Sequence, residues 1–372
     1  MKLVPTKKTH VLGAALFAAA LALPAYQTAF AEATPEKGVV AFKYLNYKDS
    51  QPGQDRIGVN AYTTSIMMPF AGKWSVTSSY TYDSVSGASP VYHSTITQDM
   101  VSGASVISEK RNAGDISLTR YLEKGSWTFG VSYSGESDYI SRGYSLQRSL
   151  LTDDKNTTLT FGGSYTTDSI NAWKKSVFDT KEVFAGLFGI TQILTKEDIV
   201  QLNVGYSNGV GYFSDPYKYA DSRPRRRNIT TFLTRWNHHF DGSDGTGKFS
   251  YRFYTDSYDV KAHTLSAEYV QPLHNEWTLI PSLRYSSQSA AYFYKPVNSV
   301  QEPPPILIGP YSVDQRLAAL GALTYGIKVE KKLAHEWTVD LKLEQYEQTF
   351  NGDAGLAPFS YRSIQLGVSR VL

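Results

Sequence analysis

The sequence predicts an all-β protein: a single antiparallel transmembrane barrel of about sixteen strands, with short periplasmic turns at one end and variable outer loops at the other. Three observations carry this. Apolar and polar residues alternate with period two through one run after another. The signals that separate the runs fall into two classes, tight turns and longer connections, and these alternate along the chain. Aromatic residues reach 13% against only 19% charged residues, yet the mean hydropathy is −0.32. Many large rings therefore need a dry surface in a chain too polar for membrane helices, which need roughly 18 or more consecutive apolar residues.

The first 31 residues read as an export leader. Lys2, Lys7 and Lys8 form a basic start, Val11 to Leu23 is apolar, and Ala29-Phe30-Ala31 offers a small-x-small cleavage site. The barrel domain is then 32–372, in the bacterial outer membrane, reached through the periplasm. Three of the 37 basic residues and none of the 34 acidic ones lie in the leader, so the remainder is neutral. A neutral chain argues against nucleic acid as a partner. The sequence has no cysteine, which excludes thiol chemistry and disulfide stapling.

Sixteen runs follow, at about 38–48, 56–70, 73–84, 111–122, 126–137, 141–152, 156–168, 183–194, 199–212, 227–240, 248–257, 261–272, 277–288, 315–332, 336–349 and 359–372. In the fifth, Trp127, Phe129, Val131 and Tyr133 share one face, with Ser126, Thr128, Gly130 and Ser132 on the other. Tight turns include Ala71-Gly72-Lys73, Glu123-Lys124-Gly125 and Leu333 to Glu336. Trp74, Trp127, Trp277 and Trp337 each follow a tight turn by one or two residues, which predicts an aromatic girdle at the periplasmic interface.

Alternation sends charges inward on strands 11 to 15. Arg252, Glu268, Arg284, Lys328, Asp340 and Lys342, with Asp256, Glu330 and Glu344, are candidate lumen residues. They form either an ion-paired lining around water or a charged constriction, and the mixed signs set no ion preference. At the outer ends, ascending strands finish at Asp49, Asp83, Asp138, Asp168, Asp215 and Asp256. Descending strands start at or near Arg56, Arg111, Arg142, Lys181, Arg227, Lys261, Arg316 and Arg362. These are candidate outer-rim residues, and hairpin pairing across the loops is expected. Two readings stay open: turn-starting aspartates in a wet rim, or a rim that holds lipopolysaccharide through divalent cations or orients a ligand.

Arg223 to Arg227, with Pro224 inside it, is the densest basic run and suits an anionic ligand or a solvated loop foot. The connections 84–110 and 289–314 are long enough to fold inward, and the second carries the stiff apolar segment Glu302 to Ile308. His238, His239, His274 and His335 fall at the periplasmic side, His93 and His263 at the outer side. Neighbouring turns stand roughly 10 Å apart along a wall, so a shared metal is not expected, and no cofactor motif is present.

Four stretches resemble the bacterial domain-of-unknown-function family 3570, predicted outer-membrane barrels: Asp83 to Pro90, Ser214-Asp215-Pro216-Tyr217-Lys218, Arg235 to Phe240, and Gly355 to Phe359. The resemblance covers nearly all of the chain beyond the leader. It implies a barrel and brings no established activity and no functional residues. Its members' gene neighbours, a thioredoxin-like protein, a small lipoprotein and a flavin-attaching enzyme, imply a link to a lipoprotein or a periplasmic redox partner. Two features depart from familiar barrels: the last residue is Leu372 rather than an aromatic, and the third outer loop, 138–141, is too short to narrow a pore.

The expected function is a channel, or a sheath for a periplasmic or lipoprotein partner. The alternative is an outer-membrane enzyme with a site at the outer rim, although no catalytic motif is present.

Overall fold

The structure, a computed structural model, describes residues 33–52, 54–89, 105–218, 221–296, 309–352 and 355–372. The expected leader, His93 and the segment Glu302 to Ile308 lie outside them. Sixteen antiparallel strands close into one barrel in sequence order. They are β1 (Val39–Gln51), β2 (Gln54–Phe70), β3 (Trp74–Ser89), β4 (Ser105–Leu122), β5 (Gly125–Gly135), β6 (Tyr139–Leu151), β7 (Thr157–Ala172), β8 (Val177–Ile193), β9 (Asp198–Gly211), β10 (Arg226–Phe240), β11 (Gly245–Asp256), β12 (Lys261–Leu273), β13 (Trp277–Gln288), β14 (Leu320–Lys332), β15 (Trp337–Phe350) and β16 (Phe359–Val371). β1 closes the ring on β16, from Val39 opposite Val371 to Ser50 opposite Ser360. Closure leaves no strand edge unpaired, the condition for a sheet to sit in lipid.

Three boundaries differ from the sequence reading. β3 and β4 run on to Ser89 and back from Ser105, so the two ends of the expected 84–110 loop, 84–89 and 105–110, are paired strand. These Ser- and Gly-rich flanks read as loop but keep their ladder. β7 and β8 likewise extend until only the short 3-10 turn Trp173–Lys175 joins them, with Ser176 left-handed at φ 55°. β14 starts late, at Leu320, because Asp314 caps a 3-10 turn at Gln315–Leu317.

Alternation sorts the faces. Phe129, Phe184, Leu265 and Leu283 are each more than half exposed on the outside of the wall, which in water would be a severe liability and in hydrocarbon is the stable arrangement. The four expected tryptophans stand within the first three residues of β3, β5, β13 and β15. Tyr80, Tyr133 and Tyr285 follow on the same faces six to eight residues later, about 20–27 Å along a strand, as a second, outer belt.

Turn chemistry sets the register. Ala71-Gly72, Asn275-Glu276 and His335-Glu336 have two consecutive positive φ angles, the mirror-image turn whose twist suits a hairpin. Gly125 (φ 111°) accepts no side chain, since a Cβ there would stand 1.9 Å from the Ser149 carbonyl oxygen. The main packed apolar cluster lies at the outer end, where Tyr258, Phe293, Leu317, Ala318 and Leu356 from three different outer loops meet.

Candidate functional site: the outer mouth and the lumen

The rim aspartates are buried, except for the half-buried Asp215. Three pair across their own outer hairpins as the strand register dictates. Arg111 donates to Asp83 at 2.7 Å directly across the β3–β4 ladder. Lys181 stands 3.0 Å from Asp168, and Arg56 4.0 Å from Asp49.

The other three do not pair in that way, and each exception involves a loop or a neighbouring strand. Asp256 takes Arg227 from β10, at 2.6 Å, rather than Lys261 from its own hairpin. Its second oxygen accepts the amides of Tyr258 and Val260 and so also holds the turn. Asp215 pairs with Arg316, 101 positions away, at 2.7 Å. Asp138 accepts the Tyr217 hydroxyl. Arg142 lies directly opposite Tyr133 and shares its outward, lipid-facing side of the wall; Arg362 is also outward and donates to Gln345. Neither faces the rim, because their positions carry the parity of the apolar residues beside them.

These exceptions trace the described parts of the fifth outer loop, 212–218 and 221–225, across the mouth. Phe213 packs edge-on against Tyr258 of the sixth loop, whose hydroxyl donates to the Pro224 carbonyl. Ser222 and Tyr311 exchange two backbone hydrogen bonds of 2.7 Å with the seventh loop. Asp314 is the anchor. It is 2% exposed and accepts from Arg223 at 2.7 Å, and also from the Arg316 amide and guanidinium. Burial alone would raise the Asp314 carboxyl, but Arg316, Lys218 and Arg223 more than offset it and hold it well below the usual carboxylate range. Burial lowers the Lys218 ammonium, against the opposing pull of Asp314 and Asp215. The basic run at Arg223 to Arg227 is thus divided: Arg223 serves the Asp314 cluster, Arg225 pairs with Asp179, and Arg227 with Asp256.

Asp314 escaped the sequence reading. Its only local signal is the Asp-x-Arg spacing that lets a side chain cap its own turn.

Below the mouth, the lumen has two unlike walls. β5 to β7 present small polar residues, and Ser132, Ser145 and Ser164 stay exposed on the inner face. On β13 to β15, Lys328 contacts Glu330 and Asp340, Lys342 pairs with Glu344 at 2.7 Å, and Tyr361 donates to Glu344. Lys248 is directly opposite Glu268. Gly326 and Gly367 make room: a Cβ on Gly367 would overlap the Asp340 carboxylate. Arg252 and Arg284 differ from the other charges of these walls in being exposed, with no carboxylate within 4 Å among the described residues. Arg235, an inward cation on β10 bonded to Gln201, belongs to the same lining and was reachable by alternation. At the other end His238 bonds Asp198, while His239 faces Asp241 and Asp244 at 3.8 and 3.7 Å. Among the described residues no three His, Cys, Asp or Glu converge on a metal position.

None of the curated proteins matches the sequence. Solved structures share the architecture at low identity. A bacterial polysaccharide outer membrane secretin is 8% identical with a TM-score of 0.51, covering 90% of this chain and 98% of that one. The siderophore receptor PirA from Pseudomonas aeruginosa is 10% identical with a TM-score of 0.48, and the match covers 90% of this chain. This chain spans 62% of the receptor's length. OccK2 (OpdF) from Pseudomonas aeruginosa, in complex with glucuronate, is 9% identical with a TM-score of 0.46, over 92% of this chain and 100% of that one. At such identities the likeness is one of fold. The sequence itself matches one family model, Protein of unknown function (DUF3570), over residues 13–361. With nearly its whole length inside that match and a closed sixteen-stranded wall of the outer-membrane type, the chain belongs to the DUF3570 family.

Proposed function

We propose that this protein is an outer-membrane channel for small polar solutes, with a preference for anions. The observation that carries the reading is the exposure of inner-face side chains at mid-height. Ser132, Ser145 and Ser164 on one wall and Arg252 and Arg284 on the other remain open to solvent, while the residues of the mouth above them are buried. A sixteen-stranded barrel is wide enough to hold water, and charges lining a wet lumen set which ions enter. On β14 and β15 two inward lysines, Lys328 and Lys342, face three carboxylates, Glu330, Asp340 and Glu344, which leaves one negative charge over. Arg252 and Arg284, each seven residues beyond the first residue of its strand, add two exposed cations at similar depth, and Arg235 adds a third inward one, which together outweigh that charge.

The fifth and seventh outer loops narrow the entrance, so permeation depends on how far the cluster around Asp314 yields. Planar-bilayer recording of the purified protein tests the proposal. A steady current whose reversal potential in a salt gradient favours chloride over potassium supports it. A sealed barrel would refute conduction and favour the sheath, which copurification of a lipoprotein would then establish. No observation favours the outer-rim enzyme.

A further inference from the structure

The four tryptophans of the periplasmic girdle each carry a cation on the ring. Arg120 lies 5.4 Å from the ring centroid of Trp74, Arg148 5.3 Å from Trp127, Lys331 5.0 Å from Trp277, and Arg370 5.4 Å from Trp337. The device repeats hairpin by hairpin. A tryptophan opens the ascending strand, and the cation sits directly opposite it near the end of the descending partner, in β3–β4, β5–β6, β13–β14 and β15–β16. Arg120 is also directly opposite Trp127. Four consecutive strands therefore present an unbroken row, Trp74–Arg120–Trp127–Arg148, on the outward face.

What this row lacks is an acid. All the ion pairs found among the described residues lie elsewhere, and none includes Arg120, Arg148, Lys331 or Arg370. At the mouth, by contrast, Arg111, Arg223 and Arg227 are each held by an aspartate. Nη1 of Arg148 is buried and donates to nothing, and Nη2 reaches only the Lys124 carbonyl at 3.5 Å. The half-exposed guanidinium of Arg148 thus keeps donors unused that an anion would satisfy with charge-assisted bonds.

We propose that the row Trp74–Arg120–Trp127–Arg148 binds the phosphate of a glycerophospholipid in the periplasmic-facing leaflet. The position fits: the row lies beside the tight turns, at headgroup height, where ring faces meet the glycerol region and long cationic stems reach up to the phosphate. The charge fits as well, since two guanidiniums flanking one indole present forked donors to an anionic oxygen pair. Lipopolysaccharide phosphates belong to the opposite end of the wall. The inference takes the outer-membrane location from the reading above but not conduction, and lipid binding and current are measured separately.

The test is native mass spectrometry of the full-length protein in detergent micelles titrated with phosphatidylglycerol. The double variant R120Q/R148Q weakens retention of the lipid by about tenfold or more, as expected for two cations near an anionic surface, while R120K/R148K keeps most of it. The control is R142Q, which removes an outward arginine at the other end of the same wall and leaves retention unchanged. If the double variant does not fold, R148Q alone gives the same reading with a smaller loss. Equal retention by wild type and R120Q/R148Q, an equal loss in R142Q, or displacement of the lipid by lipid A at equal concentration would each overturn the assignment.

Discussion

Arg223 and Asp314, 91 positions apart, meet across the mouth of the barrel with Nη2 2.7 Å from Oδ2. One belongs to the fifth outer loop and the other to the seventh. Both are shielded from solvent, with side-chain exposures of 10% and 0%, so the pair is held in a low-dielectric setting together with Arg316. Ion pairs of this kind contribute less to net stability than to fixing one arrangement among several. Here the arrangement fixed is a loop laid over an opening.

Asp314→Asn keeps the shape but leaves Arg223 and Arg316 without their shared counter-charge. Breaking a buried pair costs about 3–5 kcal/mol, and the loop rather than the barrel bears that cost, because the strand ladders below do not depend on it. Hydrogen exchange of the amides at 212–218 and 221–225 accelerates at least tenfold, while the melting of the strands changes little. If exchange in the fifth loop is unaltered, Asp314 does not anchor it.

The pH dependence has a definite sign. Asp314 is held well below the usual carboxylate range once the three neighbouring cations have outweighed its burial. Its contribution is complete above the unfolded value of about 3.9 and is lost as the pH falls through its own lower one. Lys218 acts in the other sense: burial lowers its ammonium, so its protonation opposes seating of the loop. That opposition persists below the lowered value and fades as the pH rises through it. The Asp314 contribution to loop closure, followed by exchange or by conductance in the wild type and in Lys218→Met, therefore holds down to about pH 4 and is lost only below it. Opening of the Lys218→Met variant between pH 7 and 5 would contradict this assignment.

The rim offers an internal comparison of ion pairs. Arg111 and Asp83 are 6% and 8% exposed in their side chains, whereas Lys37 and Glu336, joined at 2.8 Å near the tight turns, are both 56% exposed. Asp83→Asn strands a buried guanidinium and costs about 3 kcal/mol. Glu336→Gln leaves stability nearly unchanged, since exposed pairs are screened and entropically expensive. Equilibrium unfolding in urea from lipid vesicles measures both, and similar losses would show that the rim pair is as well solvated as the surface one.

Ala71 holds a left-handed conformation at φ 48°, followed by Gly72 at φ 68°. A residue with a Cβ loses roughly 1 kcal/mol there, and Asn-Gly is the preferred pair for this turn. Ala71→Asn stabilises the barrel by about 0.5–1 kcal/mol, seen as a higher urea midpoint with unchanged slope.

What the sequence reveals and what it hides divide along the range of the interaction. Period-two amphiphilicity is local, so the wall, its faces, the sixteen strands and the tryptophans beside the turns are all legible in single runs such as Trp127 to Tyr133. Pairs set by one hairpin are legible too, as with Asp83 and Arg111. Asp215 and Asp138 find partners that no hairpin predicts, because those partners depend on where the fifth loop lies; Asp256 is held instead from the other side of its strand, by Arg227 of the β10–β11 hairpin. The misassigned rim arginines have a different cause. Arg142 and Arg362 sit at the right height, but a barrel position needs face as well as height, and their parity turns them to the outside.

Parity also singles out two residues on which the proposed anion preference rests. Arg252 and Arg284 face inward, and β12 lies between their strands: Arg252 is opposite Thr264, and Arg284 opposite Ser266. Two residues of offset and two strand spacings put their Cα atoms about 12 Å apart, close enough for one hydrated anion to feel both within about a Debye length at physiological salt. The neighbouring charges offset them only in part, since Lys328 and Lys342 neutralise two of the three carboxylates Glu330, Asp340 and Glu344. The variant R252Q/R284Q removes both exposed cations without disturbing any of the ion pairs above, so the barrel folds and conducts while its reversal potential moves toward that of a cation-preferring pore. The shift is largest at low salt and shrinks as ionic strength rises. An unchanged reversal potential in 0.1 M salt, a concentration with a Debye length of about 10 Å, would place the selecting charges elsewhere, with the mouth cluster around Asp314 as the next site to alter.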